Sequence, residues 1–285
     1  MVAFHPTIEL PILWFIRKIK MIRFFRYSNE SYNNLNQNSK HKFAQSHALN
    51  IFGKEAIYSF IPKNACSTLR TTIAYANGCI RDKSDFNWIH KNNHTFSATL
   101  SELARAKYTF TILRCPFARL VSAYLDKIVS RDTVAWNYID LHNRKIDIED
   151  ITFDFFVRSM SKPNIRDGDI HWRPQIDFLV YEEYDDYFCL ENFSKVETVL
   201  RDRIGIDIID VRPLTSHTSY GFNLIDDNDF SNIKPFELLK YKLNRALPHP
   251  KNMYNDELIE LTKKAYSDDI SLYQSKIDRK TLMYS

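Results

Sequence analysis

One stretch, Ala56-Ile-Tyr-Ser-Phe-Ile-Pro-Lys-Asn-Ala-Cys-Ser-Thr-Leu-Arg70, constrains this chain more than any other. Residues 57–61 are rich in β-branched and aromatic side chains, which predicts a short buried strand. Pro62 ends that strand, because proline has no N–H to give a central ladder. Ser67 or Thr68 is expected to cap a helix running to the stop signal Asn77-Gly78. A helix N-terminus leaves backbone N–H groups without intrahelical partners and carries a positive partial charge. Lys63 adds a full charge at the same point, and Ser67 and Thr68 add hydroxyls. Together these features predict an anion pocket suited to phosphate. The turn contains no glycine, which excludes the G-x-x-x-x-G-K-[ST] loop of nucleoside triphosphatases. On this stretch alone, an ordinary strand-to-helix turn with a surface lysine remains open.

A second unit has the same build. Tyr108-Thr-Phe-Thr-Ile-Leu113 reads as a buried parallel strand, and Arg114-Cys-Pro-Phe-Ala-Arg119 follows, with Pro116 suited to the first turn of a helix. That helix, over residues 120–130, sets Arg119, Ser122 and Asp126 near one face and Leu120, Tyr124 and Ile128 near another. An arginine at a strand end, with a serine a turn or two into the next helix, can clamp a second phosphate through a planar fork and a hydroxyl. A third strand over 186–190 leads into a helix over 191–203 with Phe193, Val196, Val199 and Leu200 on one side. Further helices are expected over 151–160 and, capped by Asp256, over 257–274. This alternation predicts an α/β fold, a three-layer sandwich with a central parallel sheet flanked by helices. Both loops then fall at strand C-termini, where such sheets bind ligands.

Both loops resemble one family. Pro62-Lys63-Asn64-Ala65-Cys66-Ser67-Thr68-Leu69-Arg70 is similar to the 5′-phosphosulfate loop of the Golgi-type carbohydrate sulfotransferases, roughly P-K-x-A-C-T-x-x-K/R. Arg114-Cys-Pro-Phe-Ala-Arg-Leu-Val-Ser-Ala-Tyr124 resembles their 3′-phosphate motif, R-D/E-P-F-x-R-L-x-S-A-Y, and departs from it at Cys115, where the family has an acidic residue. The resemblance covers about residues 55–275 and implies a P-loop-like fold. It implies in-line transfer of a sulfuryl group from 3′-phosphoadenosine 5′-phosphosulfate to a hydroxyl of a carbohydrate acceptor, with no metal. The cofactor contacts it implies are Pro62, Lys63, Asn64, Ala65, Cys66, Ser67, Thr68, Arg70, Arg114 and Ser122, with Lys63 beside the bridging oxygen as a catalytic group. His94 is the first choice of base, because it precedes the second phosphate strand much as the catalytic histidine does in the similar uronyl 2-sulfotransferases; His90 and His171 are alternatives. Asp169-Ile-His171-Trp172-Arg173-Pro174-Gln175 resembles the family's H-W-x-P segment near the acceptor site. His171, Trp172 and Arg173 either contact the saccharide or plug the fold beneath it.

The remainder of the chain adds exclusions. Residues 1–50 read as an appendage and 51–285 as the main domain. The apolar run over 8–16 is interrupted by Arg17, Lys18, Lys20, Arg23 and Arg26, well short of the roughly 20 apolar residues that a span requires. The basic end follows the apolar run, the reverse of a signal peptide. An amphipathic helix over 8–26 is expected to dock on the domain through Trp14 and Phe15, peripheral contact with an anionic membrane being the alternative, and residues 28–40 read as a polar linker. With 4 cysteines and no C-x-x-C pair, the expected setting is a reducing cytoplasm, with a site peripheral to the inner membrane face compatible. His90 and His94 lack a third ligand that would make them a zinc site. A net charge of +4 suits a small anionic ligand and falls short of a nucleic-acid binder. Two other readings stand beside the enzyme: a non-catalytic binder of phosphorylated or sulfated ligands, and a nucleotide-dependent phosphotransferase. The second lacks both Gly-Lys-Ser/Thr and an evident magnesium aspartate.

Overall fold

Four strands, β1 (Ala48–Ile51), β2 (Ala56–Ser59), β3 (Tyr108–Leu113) and β4 (Asp186–Cys189), form the central sheet in that order. A computed structural model provides this structure, and it describes residues 22–29, 34–92, 94–214, 221–226 and 228–284. β2, β3 and β4 are parallel, with Ile57 opposite Thr109 and Ile112 opposite Phe188. β1 runs antiparallel to β2 along the edge.

Side chains alternate across this sheet with the period of two that a strand dictates. Ala56, Tyr58, Phe60, Phe110 and Ile112 face one apolar cluster, which the helix α2 (Cys66–Ala76) joins through Leu69 and Ile73 and the helix Phe193–Ile204 through Val196 and Leu200. Ile57, Ile61 and Leu113 face the other, with Phe117 and Leu120 of the helix Pro116–Ala123, Phe153 and Phe156 of Phe153–Ser159, Leu258 of Asp256–Ala265 and Tyr273 of Ser267–Lys276. The chain is thus a mixed α/β fold whose mostly parallel sheet is covered by helices on both faces.

Several boundaries differ from those read off the sequence. The division at residue 50 does not hold, because β1 pairs with β2 through Ile51 and the preceding helix α1 (Ser39–Ser46), capped by Asn38, buries His41 and Ala44. Composition marked residues 28–40 as linker, yet Leu35–Gln37 form a 3-10 turn capped by Asn34, and α1 begins at Ser39. The expected amphipathic helix over 8–26 falls mostly outside the described residues, and those that are described, 22–26, form no helix. The helix after β3 starts at Pro116, the proline expected in its first turn, ahead of the 120–130 span read for it, and continues beyond Ala123 as a π-turn, Tyr124–Ile128. The last helix is two, broken at Tyr266, and the first of them is capped by Asn255 rather than Asp256.

Candidate functional site

The turn after β2 is held in a conformation rare for residues with a Cβ. Lys63 has φ 72° and Ala65 φ 57°, both in the left-handed region, which costs about 1–2 kcal/mol per residue. Ala65, not Ser67 or Thr68, is the N-cap of α2, and it offers no side-chain hydrogen bond. The expected hydroxyl cap is therefore absent: Ser67 and Thr68 lie inside the first turn. Among the described residues, no protein acceptor takes the N–H groups of Ala65, Cys66, Ser67 or Thr68. Four adjacent donors at the positive end of an eleven-residue helix make an anion cradle. Asn64 between the two left-handed residues turns inward, its Nδ2 donating to Ile112 O at 2.8 Å and Gln175 Oε1 at 2.6 Å.

The second loop is joined to the first. Arg114 Nη1 donates to Lys63 O at 2.9 Å, and Arg119 Nε to Pro62 O at 3.0 Å. Arg114 is partly exposed, and its other guanidinium N–H groups have no protein acceptor among the described residues. Burial lowers its pKa, an effect Glu191 opposes. The departure at Cys115 leaves a carboxylate in place all the same, because Glu191 Oε1 accepts the Cys115 N–H at 3.1 Å. Ser122 stands half-exposed on the helix face that carries Arg119 and Asp126.

Lys63 Nζ donates to Asp126 Oδ2 at 2.9 Å, and both side chains are nearly buried, at 8% and 7% exposure. The same carboxylate oxygen lies 3.2 Å from Lys127 Nζ, which also pairs with Asp132 at 3.0 Å. Burial lowers the Lys63 pKa, and the bonded Asp126 carboxylate opposes that. The π-turn carries both Asp126 and Lys127, and π-turns inside helices are frequent at functional sites.

His171 completes the cluster. Its Nδ1 lies 2.7 Å from Asp169 Oδ1, which also accepts the His171 backbone N–H at 2.9 Å. The carboxylate fixes the tautomer with the proton on Nδ1 and leaves Nε2 as the basic nitrogen, for which no partner is found among the described residues. Burial lowers the His171 pKa, Asp169 opposes this, and the nearby Lys127 and Lys63 lower it again, so the ring is neutral at pH 7.

Three expected contacts do not come to this cluster. Trp172 is fully buried, donates Nε1–H to Ile165 O at 2.9 Å and meets Tyr138 and Phe156 edge to face. It cannot stack on a sugar and is a plug in the core. Arg173 lies 4.1 Å over the Phe43 ring and pairs with Asp177 at 2.8 Å, a structural role. Arg70 is buried, donates to Ile89 O at 2.5 Å and lies 5.2 Å over Phe60, so packing replaces the expected anion contact. His94 is exposed in a turn beyond the helix Trp88–Lys91, with no bond to Lys63 or Arg114 among the described residues, and His90 is exposed on that helix. Arg119, Asp126, Asp169 and Gln175 are the residues whose importance the sequence did not announce. Arg119 and Asp126 gave a signal by sharing a helix face with Ser122, and Asp169 and Gln175 by flanking the His-Trp-Arg-Pro run. Among the described residues, no group of three or more His, Cys, Asp or Glu is placed to hold a metal, and no helix is long and apolar enough to cross a membrane.

Residues 53–275 match the family model described as "Sulfotransferase family". No curated protein and no solved structure gives a significant match.

Proposed function

Because the chain belongs to the sulfotransferase family, we propose that it moves a sulfuryl group from 3′-phosphoadenosine 5′-phosphosulfate to a hydroxyl of a carbohydrate acceptor. When bound, the donor supplies an activated sulfuryl group whose leaving group is the 5′-phosphate. The residues present fit such a donor: four unpaired N–H groups at the start of α2 for its 5′ end, and Arg114 with Ser122 for its 3′-phosphate. Lys63 holds positive charge where the leaving phosphate gains negative charge, an arrangement worth several kcal/mol in a water-excluded site. His171 Nε2 takes the proton of the acceptor hydroxyl, while Asp169 keeps the proton on Nδ1 and stabilises the imidazolium that forms. The geometry favours His171 over His94, since His171 has an orienting carboxylate and lies within electrostatic range of Lys63.

The observation that carries this reading is the bond from Arg114 to Lys63 O, which ties together two loops 51 residues apart in sequence. Calorimetric titration with adenosine 3′,5′-bisphosphate tests it. Micromolar binding that Arg114→Ala and Lys63→Ala each weaken by at least tenfold is expected, followed by transfer of labelled sulfate to members of a saccharide panel. A native protein that ignores the bisphosphate would end the proposal.

A further inference from the structure

Gln175 directly follows the His-Trp-Arg-Pro run, and nothing in that run explains it. Its side chain is buried, at 1% exposure, between the two anion loops. Oε1 accepts from Asn64 Nδ2 at 2.6 Å and from the Arg114 N–H at 3.1 Å, and Nε2 donates to Arg114 O at 2.9 Å. One amide thus bonds a residue 111 positions away in the first loop and another 61 away in the second. Its own backbone is pinned in turn. Asp269, itself 1% exposed, accepts the N–H of Gln175 at 2.7 Å and of Ile176 at 3.0 Å.

The rest of the turn explains why such a brace matters. Lys63 and Ala65 sit in left-handed conformations that relax unless something holds them. Arg114 and Arg119 hold the carbonyls of Lys63 and Pro62, and Asn64 is the one side chain between the strained residues that reaches the sheet. Its grip consists of two bonds, to Ile112 O and to Gln175. Oε1 and Nε2 together clamp the amide onto the Arg114 backbone, and the same Oε1 accepts from Asn64 Nδ2, so one shared oxygen sets how closely the two loops approach.

We infer that Gln175 is a positioning residue that sets the spacing between the two anion loops, and so makes the site select a nucleotide carrying phosphoryl groups on both its 5′ and 3′ positions. The inference rests on the donor reading above and adds a specificity determinant to it. Gln175 touches no ligand. It acts through Asn64 and Arg114, whose relative placement decides whether one adenosine can engage both loops at once. The advantage of two linked contacts over one depends steeply on that geometry.

The test is a ratio of affinities. Adenosine 3′,5′-bisphosphate and adenosine 5′-monophosphate are titrated calorimetrically into native protein, Gln175→Met and Asn64→Ala. Gln175→Met keeps the volume and removes all three bonds, and Asn64→Ala cuts the brace from the loop side. In each variant the preference for the bisphosphate over the monophosphate is expected to fall by about tenfold or more. The double variant is expected to fall no further than the lower single variant, because both substitutions break one connection. A merely structural Gln175 would weaken both ligands by the same factor. An unchanged ratio in either variant that retains native circular dichroism overturns the inference. Failure of the native protein to bind the bisphosphate is a separate result, which removes the donor reading itself.

Discussion

Arg119 separates a structural account of this site from one based on motif resemblance. The arginine lies in the motif that resembles a 3′-phosphate loop, and counting motif residues alone would make it a ligand. The structure gives it other work. Arg119 is 3% exposed, and its three donor nitrogens reach Pro62 O at 3.0 Å, Arg173 O at 2.8 Å and Ile170 O at 3.2 Å. One guanidinium therefore ties the first anion loop to the segment carrying His171. In Arg119→Lys the charge survives, but a single ammonium cannot span three carbonyls that suit a planar fork. Two of them then lose a charge-assisted bond worth about 1.5–3 kcal/mol, so the substitution should destabilise the fold by about 3–6 kcal/mol. For a chain of this size each kcal/mol lowers Tm by about 2–4 °C, which predicts a fall on the order of 10 °C. Differential scanning calorimetry in the presence and absence of adenosine 3′,5′-bisphosphate measures both quantities. The loss should persist without ligand and be similar with it. A variant with native Tm and abolished bisphosphate binding would refute this account and make Arg119 a ligand.

Four further outcomes follow from named contacts. His171→Ala should reduce turnover by about 10²–10⁴-fold with bisphosphate affinity near native, while His94→Ala keeps most activity; the reverse pattern returns the base to His94. Because Asp169 raises the His171 pKa, Asp169→Asn should move the acid limb of the kcat profile to lower pH, and an unmoved limb would separate the two residues functionally. Trp172→Ala removes a fully buried indole and should destabilise the fold by about 3–5 kcal/mol, whereas a loss confined to acceptor KM would restore Trp172 to the acceptor site. Burial among Phe43, Phe60 and Phe178 pushes His47 down from 6.5 to about 4. The unfolded chain takes up a proton near pH 6.5 that the folded chain refuses until about pH 4, so stability is full above that window and falls as pH drops through it. At 1.36 kcal/mol per pH unit the loss approaches about 3 kcal/mol, and urea midpoints at pH 7 and pH 4.5 should show most of it, with a flatter profile in His47→Leu.

Residues near one another in sequence determined the parts of this protein that depend on local physics. The strands Ala56–Ser59 and Tyr108–Leu113 are apolar runs closed by Pro62 and Pro116, and α2 ends at Asn77-Gly78 as its composition requires. Unpaired donors where α2 begins follow from helix geometry alone, since the first N–H groups of any helix lack internal partners. Tertiary structure decided everything that spans the chain. Whether Trp172 faces a ligand or the core depends on Tyr138 and Phe156, which lie elsewhere in the sequence. His171 finds its orienting partner two residues away at Asp169, but it gains its cationic neighbours only when the segment carrying it packs beside Lys63 and Lys127. A boundary read at residue 50 left α1 and most of β1 out of the domain, because burial of Ala44 and Ala48 depends on distant contacts rather than on hydrophobic density. The left-handed turn at Lys63 and Ala65 could not be read from its own residues, neither of which is glycine. Arg114, Arg119 and Gln175 hold it by bonds across 51, 57 and 111 residues. Propensity and periodicity act within a few turns of helix or strand, whereas a hydrogen bond across the sheet exists only after the sheet has formed.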